Sequence, residues 1–274
     1  MKTLQRKITI LLPIHQSKHI ELNFNETILS ILKNINQNFV LKILVDGNLS
    51  NSFKKKISQY KKNKKILIIK SRKVGLANLL NIGINNTKTE WIARADADDI
   101  YTSFFFKEGL KLIKKKKKLL DLFGGQITEF NNLNNSIFNK KVPTSEKDIL
   151  STIKFRNPFN HMTVFFRTSI AKQLGGYPNY DFKEDYGLWI KFISAGAKVL
   201  NSDKIFVHAR ISDNFYDRRS GFKHLISEIK IQNLLIKNKL TKIHFAILVF
   251  CTRILLILMP KKIIKVFYKK FLRY

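Results

Sequence analysis

The apolar positions of the first hundred residues fall into two alternating rhythms. Ile8-Thr9-Ile10-Leu11-Leu12-Pro13 is a β-rich run closed by a proline, and Val40 to Val45 and Lys65 to Ile69 repeat that character. Between them, Glu26 to Asn34, Ser52 to Tyr60 and Leu76 to Ile84 carry apolar residues at helical spacing, and Trp91-Ile92-Ala93-Arg94 reads as a fourth strand. Strands alternating with helices predict an α/β fold with a parallel, helix-covered sheet. Ligands of such sheets sit at the carboxyl ends of the strands, where Asp46-Gly47-Asn48 and Asp96-Ala97-Asp98-Asp99 both fall.

After Ile100 the rhythm loosens. Ser103 to Lys118 predicts a helix with a lysine-rich end, Asn131 to Ser136 an Asn-rich loop, and Thr163 to Phe166 a strand. Ser220 to Lys239 predicts a helix with Phe222, Leu225, Ile226 and Ile229 on one face. The run His244 to Met259 is apolar but contains Arg253 and falls short of the ~20 residues that cross a bilayer. Ile8 to Ile14 lacks a small-residue cleavage site after it, so a buried strand is expected there rather than a signal peptide. In the last stretch Ile263, Ile264, Phe267, Tyr268 and Phe271 share one side of a helix, opposite Lys261, Lys262, Lys265, Lys269, Lys270 and Arg273. Such a helix either lies in a membrane interface or packs on the protein's own core.

Composition narrows this picture. The 274 residues hold 51 Lys+Arg against 19 Asp+Glu, a net charge of +32, yet 45% are hydrophobic, which excludes a disordered polycation. The single cysteine, Cys251, excludes an intramolecular disulfide framework and a multi-Cys zinc site. The charge calls for polyanionic company: nucleic acid, an anionic membrane or a phosphorylated substrate. The lysine run Lys114 to Lys118 has no interleaved aromatics, helix-turn-helix pattern or zinc spacing around it and reads as a solvated helix end.

Several constellations can carry chemistry. Three of the 19 acids lie within Asp96 to Asp99, and clustered carboxylates suit a hard divalent cation or, alternatively, a turn with helix-capping aspartates. Glu184-Asp185 precedes an aromatic-rich helix as a cap and first-turn charge or as a general base in a cleft. Val74-Gly75-Leu76-Ala77-Asn78 follows a strand and opens a helix, where a glycine lets backbone amides approach a phosphate. Arg156 to His161 is a turn-forming polar stretch whose His161 can position a hydroxyl-bearing substrate or serve as a structural hydrogen-bonder. His208, Arg210 and Asp217 to Gly221, with Arg218, form a second polar patch suited to diphosphate or to solvent.

The order of these elements resembles glycosyltransferase family 2 with the GT-A fold, a Rossmann-like nucleotide-diphospho-sugar transferase architecture. The residues that carry the resemblance are Ile10 to Pro13, Val45-Asp46-Gly47, Val74 to Asn78, Asp96 to Asp99, Gly175-Gly176-Tyr177 and Glu184-Asp185. Arg156 to His161 and Phe182 to Trp189 are similar to the branch that builds bacterial capsule, exopolysaccharide or O-antigen units.

The resemblance implies a metal-dependent, inverting transferase that moves a hexosyl unit from a nucleotide sugar, UDP-linked, to an undecaprenyl-diphosphate-linked saccharide. It implies Asp98 as Mn²⁺ or Mg²⁺ ligand with Asp96 beside it near ribose or sugar, Asp46 on the uracil or ribose, and Asp185 as catalytic base. Pro13, Gly75, Asn78, His161, Gly176, Glu184 and Arg218 join the substrate-binding set, with Gly176 in the acceptor-side loop. Only one aspartate stands at Asp46-Gly47-Asn48-Leu49, where many members have two, and the late arginine–tryptophan motif of processive synthases is missing, so single addition is expected. The expected organisation is one GT-A domain over residues 1–220, with a nucleotide-sugar half (1–100) and an acceptor half (101–220). Residues 221–274 follow as a C-terminal segment of amphipathic helices that meets an anionic membrane. The expected location is cytoplasmic, peripheral on the inner face of the cell membrane, with no nucleic-acid partner. The competing readings are a basic nucleic-acid-binding protein and another nucleotide-sugar enzyme such as a nucleotidyltransferase, for which Pro13-Ile14-His15-Gln16 offers no Gly-rich signature loop.

Overall fold

The computed structural model describes residues 7–115, 119–130, 137–211 and 222–258. The N-terminal half runs β1 (Ile8–His15), α1 (Lys18–Leu32), β2 (Phe39–Asp46), α2 (Asn51–Ser58), β3 (Ile66–Ser71), α3 (Leu76–Asn85) and β4 (Trp91–Arg94). The four strands are parallel, with β1 flanked by β2 and β4 and β2 by β3. The helix expected at Glu26 to Asn34 is the second half of α1. Its start is Ser17, whose hydroxyl accepts from the Ile20 amide. Polar residues on alternate positions of the first turns hide the apolar pair Ile20 and Phe24 from a pattern search.

The chain continues through β5 (Ile100–Tyr101), α4 (Ser103–Lys115), β6 (Leu122–Phe130), β7 (Ile137–Lys140), α5 (Glu146–Thr152), β8 (Phe165–Arg167), α6 (Thr168–Gln173), α7 (Glu184–Ser194) and β9 (Val199–Arg210). Among the described residues one sheet has the order β3-β2-β1-β4-β8-β6-β9-β5, with β7 paired to β6. Antiparallel β8 joins β4 to β6, so both halves share the sheet. Period-two alternation divides the core. Ile8, Ile10, Leu12 and Ile14 of β1 point to α1, α2 and α4, whereas Leu11 of β1 and Leu44 of β2 point to α3 and α7.

Gly124 and Gly125 sit inside β6 because a Cβ at either position collides with Asn201 and Thr163 or with the Phe206 ring. The helices α8 (Phe222–Lys237) and α9 (Ile243–Leu258) close the described chain. Ile231 and Leu235 of α8 are buried with Trp189, while α9 exposes Ile243, Ile247, Leu248 and Leu255. Arg253 of α9 donates to the Phe155 carbonyl. Among the described residues no helix is long and apolar enough to cross a membrane. The expected basic helix Lys261 to Arg273, the loop Asn131 to Ser136, and Arg218 with its neighbours lie outside the described residues.

Candidate active site

A cavity of about 250 Å³ opens at the carboxyl ends of β1, β2 and β4, walled by Pro13, Asp46 and Leu76 and floored by Arg94, Asp96 and Asp98. Pro13 shapes that floor. The β1–β4 ladder runs in register to Leu11 opposite Arg94, and the Ala95 amide donates to the Leu11 carbonyl. The next rung needs an N–H at position 13 for the Ala95 carbonyl, and proline has none. The Arg94 guanidinium fills that place by donating to the Ala95 carbonyl.

Arg94 is only 2% exposed, and its other terminal nitrogen donates to Asp96 at 2.6 Å. Its Nε–H is buried without a partner among the described residues. Sequence reasoning passed over this arginine. The available signal was a charged residue ending an otherwise apolar strand, where a buried cation must have an anionic neighbour.

The aspartate cluster divides by role. Asp96 and Asp98 remain about 30% exposed to the cavity, at 31% and 27%, and Asp98 is 3.2 Å from His19 Nε2 of α1. Asp99 faces inward: the Arg210 amide donates to one of its oxygens and the other is buried without a hydrogen-bond partner among the described residues. Burial pushes the Asp99 carboxyl well up, and the neighbouring Asp98 and Asp96 add to that. Among the described residues no group of three or more His, Cys, Asp or Glu converges as a metal cage. His208 is hydrogen-bonded through Nδ1 to Thr128. Two cavity-facing carboxylates still fit a divalent cation of the Mg²⁺ type, which takes one or two carboxylates and completes its shell with substrate phosphate and water.

Asp46 holds the opposite wall. Its two oxygens accept from the Val74 and Gly75 amides at 2.7 and 3.2 Å, which fixes the loop that opens α3. Gly75 has φ of 82°, in the left-handed region where glycine is at ease, and is the N-cap of α3. Asn78 is exposed and donates to the Val74 carbonyl.

The side expected to meet the acceptor is built from α7 and the turn before β8. Asn157 donates to one Asp185 oxygen at 2.6 Å, and the Tyr186 amide donates to the other at 2.7 Å. Both bonds favour the ionised form, opposing the upward push of burial. Glu184 is buried, and desolvation together with the adjacent Asp185 pushes it up to about 8. At Asp185 burial outweighs those two bonds, so both carboxyls of the pair are raised from their usual range.

His161 Nε2 lies 3.1 Å from the Tyr177 hydroxyl, and burial near Arg94 holds the imidazole well below its usual range. Gly176, expected in the acceptor loop, has φ of 68° and packs directly on Asn81 of α3. Asn81 accepts from the Tyr177 amide at 2.8 Å and donates to the Tyr177 carbonyl at 2.9 Å. Asp96, Tyr177 and Glu184 all act electrostatically on Arg94, which couples the aspartate turn to the start of α7.

Solved structures share this architecture. Residues 1-349 of S. aureus TarS in complex with UDP-GlcNAc superimpose with a TM-score of 0.67 at 15% identity, over 90% of this chain and 72% of that one. The mannosyltransferase PcManGT from Pyrobaculum calidifontis, in complex with GDP-Man and Mn²⁺, gives 0.60 at 10% identity over 94% and 83%. The fold is that of a GT-A glycosyltransferase. Residues 9–174 match the sequence profile of glycosyl transferase family 2, and the chain belongs to that family.

Relatives extend the likeness beyond the profile. An uncharacterized glycosyltransferase of Haemophilus influenzae is 34% identical over 73% of this chain and 74% of its own length. The Escherichia coli UDP-Gal:alpha-D-GlcNAc-diphosphoundecaprenol beta-1,3-galactosyltransferase is 31% identical over 97% of both. The amylovoran biosynthesis glycosyltransferase AmsE of Erwinia amylovora is 28% identical over 83% and 85%. The chain is thus a family 2 glycosyltransferase of the bacterial surface-polysaccharide type.

Proposed function

We propose that this enzyme transfers a hexosyl unit, galactosyl or glucosyl, from a UDP-sugar to a diphospholipid-linked saccharide with inversion, at the inner face of the cell membrane. The observation that supports the proposal is the cavity floored by Asp96 and Asp98, where buried Arg94 holds Asp96, while Asp185, held by Asn157, stands in the first turn of α7. Asp46 and the Gly75 loop bound the nucleoside end. Asp98, with Asp96 beside it, would hold a divalent cation, which would supply Lewis-acid stabilisation to the departing diphosphate. Asp185 accepts the proton of the attacking acceptor hydroxyl, and the two hydrogen bonds from Asn157 and Tyr186 aim its oxygens. Arg94 keeps Asp96 in place and adds fixed positive charge beside the developing anion. The relative that uses UDP-Gal and a GlcNAc-diphosphoundecaprenol acceptor supports the choice of donor and acceptor class.

The test is a donor panel: purified protein, Mn²⁺, a GlcNAc-diphospholipid acceptor, and UDP or GDP release as readout. UDP release from UDP-galactose or UDP-glucose is expected. Release from GDP-sugars alone, or from none, overturns the proposal.

Membrane attachment is assigned to the basic C-terminal segment, continuous with the exposed apolar residues of α9. Removing residues 259–274 is expected to abolish most retention on phosphatidylglycerol vesicles at moderate salt. Unchanged sedimentation of the truncated protein, or stronger retention on duplex DNA than on vesicles, refutes this attachment and favours the nucleic-acid reading.

A further inference from the structure

Phe182 is out of place energetically. It adopts φ of 62°, one of two positive-φ non-glycine residues among those described, the other being Lys239. A bulky residue in the left-handed region carries backbone strain, which persists only where the surroundings impose it. Burial does not offset it, because Phe182 is 53% exposed.

The neighbours show how the conformation is imposed. Lys183 pairs with buried Glu228 of α8, and Tyr180 lies under the Lys230 ammonium, 5.5 Å from the ring centroid. The segment is thereby tied to α8 on both sides of Phe182. The Phe182 ring stacks face to face on His224 of α8, with centroids 4.2 Å apart and planes 6° from parallel. The stack fixes the ring's orientation and occupies one face. Three residues further along the chain comes Asp185, with its carboxylate held by Asn157.

We infer that Phe182 is a stacking platform for the saccharide acceptor, a subsite on the α7–α8 side of Asp185. The ligand class follows from the chemistry. A pyranose ring presents a face of C–H groups that packs on an aromatic face, while its hydroxyls remain free for a base and polar partners. A pre-oriented ring ahead of the base selects the sugar face and leaves one hydroxyl towards Asp185. The inference rests on the proposed transfer at Asp185 and adds the acceptor contact to it.

The experiment uses the full-length enzyme with a GlcNAc-diphosphate acceptor carrying only a short alkyl chain, so that stacking on sugar is separated from contact with a long lipid. Phe182→Gly is expected to raise acceptor KM about 5- to 10-fold, with donor KM and acceptor-independent UDP release unchanged. Phe182→Tyr is expected to keep the wild-type acceptor KM. Glycine occupies this φ without strain, so the Phe182→Gly protein is expected to melt at or slightly above the wild-type temperature.

Acceptor KM within twofold of wild type in Phe182→Gly overturns the inference. So does an effect seen only with long-chain acceptors, which assigns the ring to lipid. A Tm lower by more than about 5 °C assigns it to packing, with the same consequence. Loss of donor turnover in the wild-type enzyme instead removes the underlying reading of the reaction.

Discussion

Asp185→Asn is expected to lower kcat for hexosyl transfer by about 10²- to 10⁴-fold while leaving donor binding intact, measured as UDP release with saturating acceptor. Asparagine preserves the shape of the side chain and loses the charge that can take a proton. The neighbouring carboxylate provides the contrast. Glu184 is buried and pushed up to about 8, so at neutral pH it is already largely protonated, and Glu184→Gln imitates that state.

Glu184→Gln is therefore expected to retain activity within about tenfold. Equal losses in the two variants would refute the division of labour. Stability supplies an independent reading with a definite sign. A carboxyl whose folded pKa lies above its usual value of 4.5 stabilises the fold at low pH, and that contribution is lost as pH rises through about 8. Thermal stability of the wild type is expected to fall over this window, and Glu184→Gln to flatten the fall.

Asp98→Asn is expected to reduce metal-stimulated UDP release by at least about 100-fold, with Mn²⁺ affinity lost in parallel when followed by electron paramagnetic resonance. Asp98 is chosen over its neighbours on geometry. It faces the cavity and, among the described residues, pairs only with His19, whereas Asp96 already accepts from Arg94 and Asp99 is turned into the core under the Arg210 amide. Full metal-stimulated activity in Asp98→Asn would remove the cation from this position.

The N-terminal half was legible because β1, β2 and β4 are buried on both faces and read as largely apolar runs. Their ends therefore located the Asp46 and Asp96 turns. The acceptor half was harder for a physical reason. β6 carries Gly124-Gly125, which resembles a turn in sequence, and only the approach of Phe206 and Asn201 from β9 makes it a strand. Arg94 was missed because its pairing with Asp96 reads as an ordinary strand-end charge pair, while the carbonyl it also holds is released by Pro13, on another strand. Phe182 was unmarked because backbone conformation at one residue leaves no trace in residue type. Glu184-Asp185 was legible as a pair of acids at a helix start, but the bond that holds Asp185 comes from Asn157, 28 positions away in sequence.

Asn81 grips both backbone groups of Tyr177, and Gly176 leaves no room for a side chain against it. The loop proposed to face the acceptor is thus clamped by a residue of α3, in the half proposed to hold the donor. Exchanging acceptor halves between related transferases, as diversification of surface sugars demands, does not cut cleanly at residue 100. A graft that brings in a new loop at 175–177 must bring a matching residue at position 81, so the unit of inheritance for acceptor choice extends back into α3.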